Sequence, residues 1–197
     1  MKSVIISIQP KWCEQIASGK KTNEVRKTKP KLDVPFKAYI YCTQNTPYNP
    51  VIPMRYEKEG GNIYTGGKRY AEFLTAKVIG EFVCDFIAQY DWLELDDDCE
   101  ECEDVQMACL SSKEILDYLG EGKYLYFWHI SNLVIYDKPR SLGEFYTKCK
   151  AMACEGCEHL KYQQVNSDER DYDCEYLNGK IPLSRPPQSW CYVEEPM

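Results

Sequence analysis

The chain has 197 residues, with 24 Lys and Arg against 31 Asp and Glu and a formal net charge of −7. Its length suits one domain with an appendage or two small domains, and 44% hydrophobic with 28% charged residues excludes wholesale disorder. No run approaches the ~20 apolar residues of a membrane-spanning helix. Met1 leads directly into Val4–Ile6 without a signal peptide's apolar core and cleavage site, so we expect a soluble cytoplasmic protein.

The N-terminal residues predict a strand, a helix and a sharp turn. Val4–Ile8 is a mainly β-branched run, which favours a strand. Proline suits the first turn of a helix, and this helix should cover Pro10–Ser18 and end at Gly19. A glycine adopts the left-handed conformation without steric cost, so the chain should turn sharply there.

Two further strands are predicted after this turn. Residues 22–27 alternate in character, so a strand there places Glu24 and Arg26 on one face and Val25 on the other. Lys37–Thr43 is rich in aromatic and β-branched residues and also predicts a strand. The two charged side chains of the first strand therefore share a face.

The middle of the chain contains two polar segments on either side of a strand. Residues 44–70 are rich in Asn, Pro, Gly and Tyr, and we interpret them as an insertion into a compact domain. Phe73–Asp85 predicts a long strand with a bulge or bend at Gly80. Residues 94–104 contain eight carboxylates in eleven positions and predict a solvated loop.

The next residues predict two helices and a strand. Ser111 and Glu114 have the spacing of a capping box, for a helix that ends at Gly120. Tyr124–Ile135 predicts a long strand or a bent strand pair, and the capping pattern recurs at Ser141 before a final helix. Short helices and about five strands without a strand–helix–strand rhythm predict an α+β fold, a small β-barrel with flanking short helices.

The turn after the first helix has the pattern G-x-K-x-x-E-x-R, formed by Gly19, Lys21, Glu24 and Arg26. With the segments around it, this pattern resembles the ASCH domain, a member of the PUA-like superfamily. The resemblance covers residues 1–148 and implies a small, partly open β-barrel. The other segments that carry it are Ser7–Trp12, Tyr39–Thr43, Lys77–Glu81, Trp128–Ser131 and Tyr136–Pro139.

The three charged side chains of the motif predict a polar binding cleft. Lys21 follows the turn, and Glu24 and Arg26 project together from the next strand. One carboxylate beside two cations can bind a polar planar group and a phosphate at once, because arginine is a forked donor and lysine a point charge. A structural ion network that closes the barrel fits the same residues, and the sequence leaves both interpretations open.

The resemblance implies RNA, a nucleotide or a modified nucleoside as the ligand. Residues 1–40 carry a net charge of +6 against −13 for the remainder, which suits phosphate, although a solvated basic face fits the charge equally. Several aromatic residues are candidates for stacking a base or, alternatively, for the core: Trp12, Tyr39, Tyr41, Trp128 and His129. The ligand-binding candidates are Lys11, Trp12, Lys21, Thr22, Glu24, Arg26 and Tyr41.

An enzymatic function is the alternative that the resemblance offers. Some small ASCH proteins are amidohydrolases that deacylate N4-acetylcytidine, with a lysine base and a threonine nucleophile three residues later. Lys21, Thr22 and Arg26 fit this pattern, but Glu24 occupies the position of the threonine nucleophile. If the chain is an enzyme, Lys21 and Glu24 are therefore the catalytic candidates. A carboxylate cannot replace an activated hydroxyl, so we expect a binding function. A protein-interaction module is a further alternative.

Residues 149–197 predict an irregular, cysteine-rich tail. Eleven cysteines in a cytoplasmic chain indicate metal or redox chemistry rather than disulfides, and metal binding would supply free energy for ordering a segment with few apolar residues. Pro186–Val193 resembles a segment that trails ASCH proteins of phages and mobile elements, and Trp190 should pack the tail onto the barrel. The predicted Zn²⁺ ligands are Cys154, Cys157, Cys174 and Cys191, with His159 and Cys149 as replacements.

The alternatives for these four cysteines are an iron–sulfur cluster and unliganded or redox-active thiols. Cys99, Cys102 and Cys109 form a weaker second metal candidate, because a fourth ligand is lacking near them. Cys13 and Cys42 are interpreted as small buried hydrophobic residues.

Overall fold

The computed structural model describes residues 3–44, 55–58, 62–65, 74–91, 93–95, 102–148 and 180–194. The strands are β1 (Ser3–Ile8), β2 (Asn23–Arg26), β3 (Phe36–Cys42), β4 (Arg55–Lys58), β5 (Asn62–Thr65), β6 (Lys77–Cys84), β7 (Ile87–Asp91), β8 (Tyr124–His129), β9 (Ser131–Arg140), β10 (Tyr146–Lys148), β11 (Lys180–Pro182) and β12 (Trp190–Val193). The helices are α1 (Pro10–Ala17), α2 (Glu103–Met107) and α3 (Ser112–Leu119), with a 3-10 turn at Leu142–Glu144.

The strands form one large sheet, one small sheet and two ribbons. The large sheet has the order β12-β1-β3-β6-β9, in which β1 and β3 are parallel and the other neighbours antiparallel. The small sheet has the antiparallel order β2-β8-β7, and the ribbons are β4-β5 and β10-β11. The α+β class is confirmed. The strands predicted for the barrel do not all lie in one sheet, because β2 and β8 belong to the small sheet. No closed barrel occurs among the described residues.

Several strands differ in extent from their predictions. β6 begins at Lys77, four residues after the predicted start, and Gly80 lies where the pairing of β6 with β9 shifts register. A Cβ at position 80 would overlap the carbonyl oxygen of Val134, so the predicted irregularity at this glycine is a close backbone approach. The predicted strand Tyr124–Ile135 corresponds to two strands, β8 and β9, with Ile130 between the end of one and the start of the other.

Three apolar clusters hold the sheets and helices together. One face of β1, with Val4 and Ile6, packs on Trp128 of the small sheet, and the other face, with Ile5, packs on Phe145. Burial on both faces explains why β1 is almost continuously apolar. The outer face of the small sheet packs on α2 and α3 through a third cluster: Val25, Leu95, Val105, Ala108, Ile115, Leu119, Leu125 and Phe127.

The acidic segment 94–104 is not simply a solvated loop. Leu95 is fully buried in the third cluster, and Glu103 and Asp104 form the first turn of α2. Carboxylates in a first helical turn interact favourably with the helix dipole, so the last two residues of the acidic run stabilise the start of α2. Residues 96–101, including Cys99, lie outside the described residues.

The described part of the C-terminal tail is ordered into strands rather than irregular. β12 pairs antiparallel with β1, and the Trp190 and Trp128 ring centroids are 5.9 Å apart, as the predicted packing of Trp190 requires. Residues 149–179 lie outside the described residues, so the division at 148 stays a prediction. Within the described residues, no helix has the length and apolar character that a membrane span needs.

Candidate functional site

The motif turn brings Lys21 back against the first helix. Gly19 follows the end of α1 with φ of +75°, the left-handed conformation predicted for it. The backbone N–H groups of Lys20 and Lys21 both donate to the carbonyl of Gln15, at 3.0 Å each. These bonds use a carbonyl of the last helical turn that has no partner within the helix, and they fix the direction in which the lysine side chain leaves the turn.

Lys21 is a buried cation with identified partners. Its side chain is 2% exposed, and its Nζ donates to the carbonyl of Ala108 at 2.7 Å and lies 3.5 Å from Oε2 of Glu24. Burial lowers the pKa of Lys21, and the nearby Glu24 carboxylate opposes that shift. The Trp12 ring lies 5.3 Å from the same nitrogen.

Glu24 and Arg26 lie on the same face of β2, as the alternation predicts. Nη2 of Arg26 lies 3.0 Å from Oε1 of Glu24 and also donates to the carbonyl of Ser7 at the end of β1. Among the described residues, Oε2 of Glu24 and Nε of Arg26 have no hydrogen-bond partner, although both atoms are buried. Oε2 of Glu24 still has its ion pair with Lys21, whereas a buried donor such as Nε of Arg26 costs free energy when no acceptor meets it.

Helix α2 holds the start of β2 in place. The N–H of Thr22 donates to the carbonyl of Met107 at 2.9 Å, and the amide of Asn23 donates to Oδ1 of Asp104 at 2.7 Å. With the bond from Lys21 to Ala108, three successive residues of the motif are attached to one short helix. Sequence analysis missed this helix, because it has only five residues and begins inside the acidic run.

A cavity of about 700 Å³ opens beside the charged group. Its walls come from the end of β1 and α1, from β2, from the end of β3, from α3 and from the residues before β12. The residues that line it are Ser7, Gln9, Lys11, Trp12, Lys21, Glu24, Val25, Arg26, Thr43, Gln44, Leu110, Glu114, Asp117, Tyr118, Gln188 and Ser189. The ion network and the cleft are therefore not exclusive alternatives, because the network forms one wall of an open cavity.

Five of the seven predicted ligand-binding residues line this cavity: Lys11, Trp12, Lys21, Glu24 and Arg26. Thr22 does not line the cavity. It is half-buried, and its backbone forms hydrogen bonds with Met107 of α2 and with Ile130. Tyr41 is 5% exposed and packs in the apolar cluster on the other face of the large sheet. Thr22 and Tyr41 therefore lie away from the cavity, where their contacts support the fold.

The other aromatic candidates for stacking also lie elsewhere. Trp128 is fully buried and contacts the Phe36 ring edge-on, with centroids 5.6 Å apart, so it is a core residue. Tyr39 is buried against Phe145. Nδ1 of His129 lies 2.6 Å from Oδ1 of Asp85, outside the cavity lining. Trp12, which is half-buried, is the predicted stacking candidate that remains at the cavity.

Sequence analysis missed the cavity residues that come from distant parts of the chain. Tyr118 lies on α3, and Nζ of Lys27 lies 5.3 Å from the centre of its ring. Gln44 follows β3, and Gln188 and Ser189 precede β12. No local pattern marks these residues, because the pairing of β12 with β1 places them at the cavity. The resemblance of Pro186–Val193 to a recurring segment was the one available signal.

The lining of the cavity is balanced in formal charge. The cations are Lys11, Lys21 and Arg26, and the anions are Glu24, Glu114 and Asp117. Lys11 and Glu114 form an exposed ion pair of 3.4 Å between α1 and α3. A cavity with mixed charge suits a neutral group that both donates and accepts hydrogen bonds better than it suits a polyanion.

The predicted zinc site lies mainly outside the described residues, with Cys154, Cys157 and Cys174. Cys191 is half-buried in β12, and burial raises its thiol pKa. The part of the chain that the structure describes holds no group of three or more potential ligands. In that part, the Cys109 thiol donates to the carbonyl of Lys20, so it has a structural contact. The buried Cys13 and Cys42 have the small hydrophobic role predicted for them.

Comparison with solved structures identifies the fold. The crystal structure of ASCH from Zymomonas mobilis matches with a TM-score of 0.53 and 20% identity, over 98% of this chain and 88% of that one. A serine-to-alanine variant of the same protein matches with a TM-score of 0.53 and 19% identity, over 98% of this chain and 89% of that one. A tyrosine-to-phenylalanine variant matches with a TM-score of 0.54 and 19% identity, over 99% of this chain and 92% of that one. No protein-family model matches the chain, and no curated protein matches it by sequence. The chain therefore has the fold of the ASCH proteins, as its motif predicted.

Proposed function

We propose that this chain is an RNA- or nucleotide-binding protein that takes a nucleobase into the cavity beside Lys21, Glu24 and Arg26. The observation that carries the proposal is a cluster of buried charged groups in the wall of an open cavity, in which Oε2 of Glu24 has only its ion pair with Lys21 and Nε of Arg26 has no hydrogen-bond partner among the described residues. One is an acceptor and the other a donor. The edge of a base offers both donors and acceptors, so a planar ligand of this kind suits a site that contains both.

Trp12 provides the apolar part of such a site. Its half-buried indole lines the cavity beside the charged group and is anchored on the first apolar cluster. Stacking on an aromatic ring tolerates any base, whereas the carboxylate and guanidinium select for the pattern of donors and acceptors. The two contacts together account for binding a base with some selectivity.

Phosphate groups fit the rim of the cavity rather than its interior. The lining has balanced charge, whereas Lys27, Lys29 and Lys31 are exposed in the loop that follows β2. Nζ of Lys27 lies over the ring of Tyr118, a lining residue, so this loop reaches the cavity mouth. A base in the cavity would therefore have its phosphates near Lys27 and the basic loop that carries it.

The test is the affinity for a fluorescently labelled single-stranded RNA of mixed sequence, measured by anisotropy as a function of salt. Contacts to about three phosphates give a slope of log K against log salt of about −2. Arg26→Ala should weaken binding about tenfold or more, because it removes a charged donor from the site. Lys27→Ala should reduce the slope by about 0.7 while leaving base preference unchanged.

Lys138→Ala is the matched control, since this exposed lysine of β9 is not among the lining residues. It should bind RNA as the wild type does. If neither RNA nor nucleotides bind, the proposed function is wrong, and the protein-interaction alternative with a purely structural ion network takes its place.

Amide hydrolysis is a second candidate, favoured by the state of Lys21. A lysine whose pKa is lowered by burial is a better general base near neutral pH than an exposed one. In hydrolysis of N4-acetylcytidine, water would replace the amine at the acyl carbon, giving acetate and cytidine. Glu24 would have to act as the carboxylate base or proton carrier instead of as a hydroxyl nucleophile.

Chromatography for cytidine after incubation with N4-acetylcytidine separates the two candidates. Hydrolysis by the wild type that is lost in Lys21→Ala would replace the binding proposal by the enzymatic one. Binding of RNA without hydrolysis is the result that we expect, because the hydroxyl nucleophile is missing from position 24.

A further inference from the structure

The segment before β12 forms one wall of the cavity, although it lies about 160 residues along the chain from the motif. The N–H of Ser7 donates to the carbonyl of Ser189 at 2.8 Å, and the Ser7 hydroxyl donates to the carbonyl of Pro187 at 2.6 Å. The carbonyl of Ser7 in turn accepts from Arg26. One residue at the end of β1 therefore holds both the motif arginine and the C-terminal segment.

A second set of contacts fixes the same segment to the loop after β2. The indole Nε1 of Trp190 donates to the hydroxyl of Thr28 at 3.0 Å, and the hydroxyl of Tyr192 accepts from the N–H of Lys31 at 2.7 Å. The segment is thus held from both sides of the cavity. The backbone at 188 and 189 therefore has a defined position relative to Glu24 and Arg26.

Gln188 presents a side-chain amide with unused hydrogen-bonding capacity at the cavity. It lines the cavity and is exposed, and no hydrogen bond of its side chain occurs among the described residues. The backbone carbonyls of its neighbours Pro187 and Ser189 are bonded to Ser7, and Gln188 has the longer polar side chain of the two residues of this segment that line the cavity. A carboxamide carries one acceptor oxygen and two N–H donors, which is the complement of the edge of a base.

We propose that Gln188 is a specificity-determining residue of the binding site, supplied by the C-terminal segment, and that it reads the polar edge of the bound base. The inference rests on the proposed function of the same cavity. Glu24 and Arg26 provide charged contacts on one side, and Gln188 provides a neutral amide on the other. The binding unit therefore includes residues 187–190 and is not complete within residues 1–148.

Replacing the amide changes which base edges can be bound. Alanine removes both donor and acceptor, so it should lower the discrimination among bases. Glutamate accepts only, so it should favour guanine, whose N1–H and N2–H donors are adjacent, over bases that present an acceptor at that place. These outcomes differ from a general loss of affinity, which disruption of the fold would cause.

The experiment measures Kd for the four nucleoside 5′-monophosphates by isothermal titration with the full-length chain. In Gln188→Ala, the ratio between the strongest and weakest of the four affinities should shrink at least about fivefold, and Gln188→Glu should move the preference towards guanosine monophosphate. Gln89→Ala changes an exposed glutamine of β7 outside the cavity lining and should leave both this ratio and the order of the four affinities unchanged.

Ser7→Ala provides a variant that keeps Gln188 and loosens its support. It removes the hydroxyl bond to Pro187 but keeps both backbone groups of Ser7, so discrimination should fall less than in Gln188→Ala. A wild-type ratio between the strongest and weakest affinities in Gln188→Ala overturns this inference alone. If the wild type binds none of the four nucleotides, the proposed function fails, and the inference fails with it.

Discussion

The ammonium group of Lys21 donates a hydrogen bond of 2.7 Å to the carbonyl of Ala108, a residue 87 positions later in the chain. Ala108 is the C-cap of α2, where backbone carbonyls have no helical partner and the helix dipole favours a cation. The motif lysine therefore has a structural task at the end of a helix as well as a position at the cavity.

The first prediction concerns the pH dependence of stability. Burial places the pKa of Lys21 in the folded protein below the ordinary lysine value of 10.5. The unfolded chain then holds this proton more tightly, so the free energy of unfolding rises as the pH increases through the lowered pKa and levels off above 10.5.

The measurement is urea unfolding of the wild type and of Lys21→Met between neutral pH and 10.5. The free energy of unfolding of the wild type minus that of the variant should increase with pH, because the other titrating groups are common to both proteins. A difference that stays constant or falls over this range would contradict the lowered pKa.

The second prediction concerns the buried carboxylate. Glu24→Gln leaves Lys21 and Arg26 near one another without an anion between them, and breaking a buried ion group in this way costs about 3 kcal/mol. The urea midpoint should fall accordingly with an unchanged m-value. Glu121→Gln, at an exposed glutamate, should change stability by less than about 0.5 kcal/mol.

The third prediction separates two kinds of glycine. Gly80→Ala should destabilise the protein by about 3 kcal/mol, because the new methyl group meets the backbone of Val134 in the neighbouring strand. Gly19→Ala should cost about 1 kcal/mol, since nothing lies within 4 Å of a Cβ there and only the positive φ opposes it. Thermal unfolding compares the two, and a larger loss at position 19 would contradict this account.

The local elements of the fold were largely predictable, because their signals are local. The β-branched run of β1, Pro10 at the start of α1, the capping box of Ser111 and the glycine turn at Gly19 each depend on a few neighbouring residues. The structure confirms these elements to within one or two residues. The α+β class followed from their order.

The division into two sheets and the role of the C-terminus were not predictable in the same way. Whether β2 pairs with β8 rather than with a strand of the large sheet depends on contacts about 100 residues apart. β12 has only four residues, and its pairing with β1 is what places Gln188 at the cavity. Such long-range contacts leave no local periodicity for sequence analysis to detect.

The candidate site shows the same distinction. Glu24 and Arg26 were placed correctly on one face, because strand alternation is a local rule. Tyr41 was selected by residue type alone, and alternation could not say which face of β3 meets the cavity. Only the layering of the two sheets decides that question.

The fourth prediction is the zinc site of the tail, which we propose on Cys154, Cys157, Cys174 and Cys191. Four thiolates are enough for tetrahedral zinc, so elemental analysis of protein purified without added metal should find about one zinc ion per chain. The half-buried Cys191 would have to lose its proton to bind the metal, as zinc ligation requires.

Two cysteine-to-serine changes identify the ligands. Cys154→Ser and Cys191→Ser should each lose the metal, whereas Cys109→Ser should keep it, since that thiol bonds the carbonyl of Lys20. Metal that survives both of the first two changes would exclude this ligand set. Loss in Cys109→Ser instead would assign the metal to the weaker candidate group.

The last prediction concerns Trp12 as the platform for a base. Nζ of Lys11 lies 4.2 Å from the centre of its ring, so a stacked base would replace an exposed lysine that is otherwise paired with Glu114. Loss of a stacking platform costs about 1 to 3 kcal/mol per base, so Trp12→Ala should weaken RNA binding about 5- to 150-fold. Trp12→Phe keeps a ring and should weaken binding only slightly.

Because Trp12 also packs against the first apolar cluster, the affinity of each variant is measured where circular dichroism shows it to be folded. Lys11→Ala is the companion variant, as it removes the cation above the ring but leaves the indole available. It should bind RNA at least as tightly as Trp12→Phe does. In Lys11→Ala a base can stack on the exposed face of the indole without first breaking the ion pair between Lys11 and Glu114. Equal affinity of Trp12→Ala and wild type would show that the base does not stack on this side chain, and the cavity would then bind its ligand through polar contacts alone.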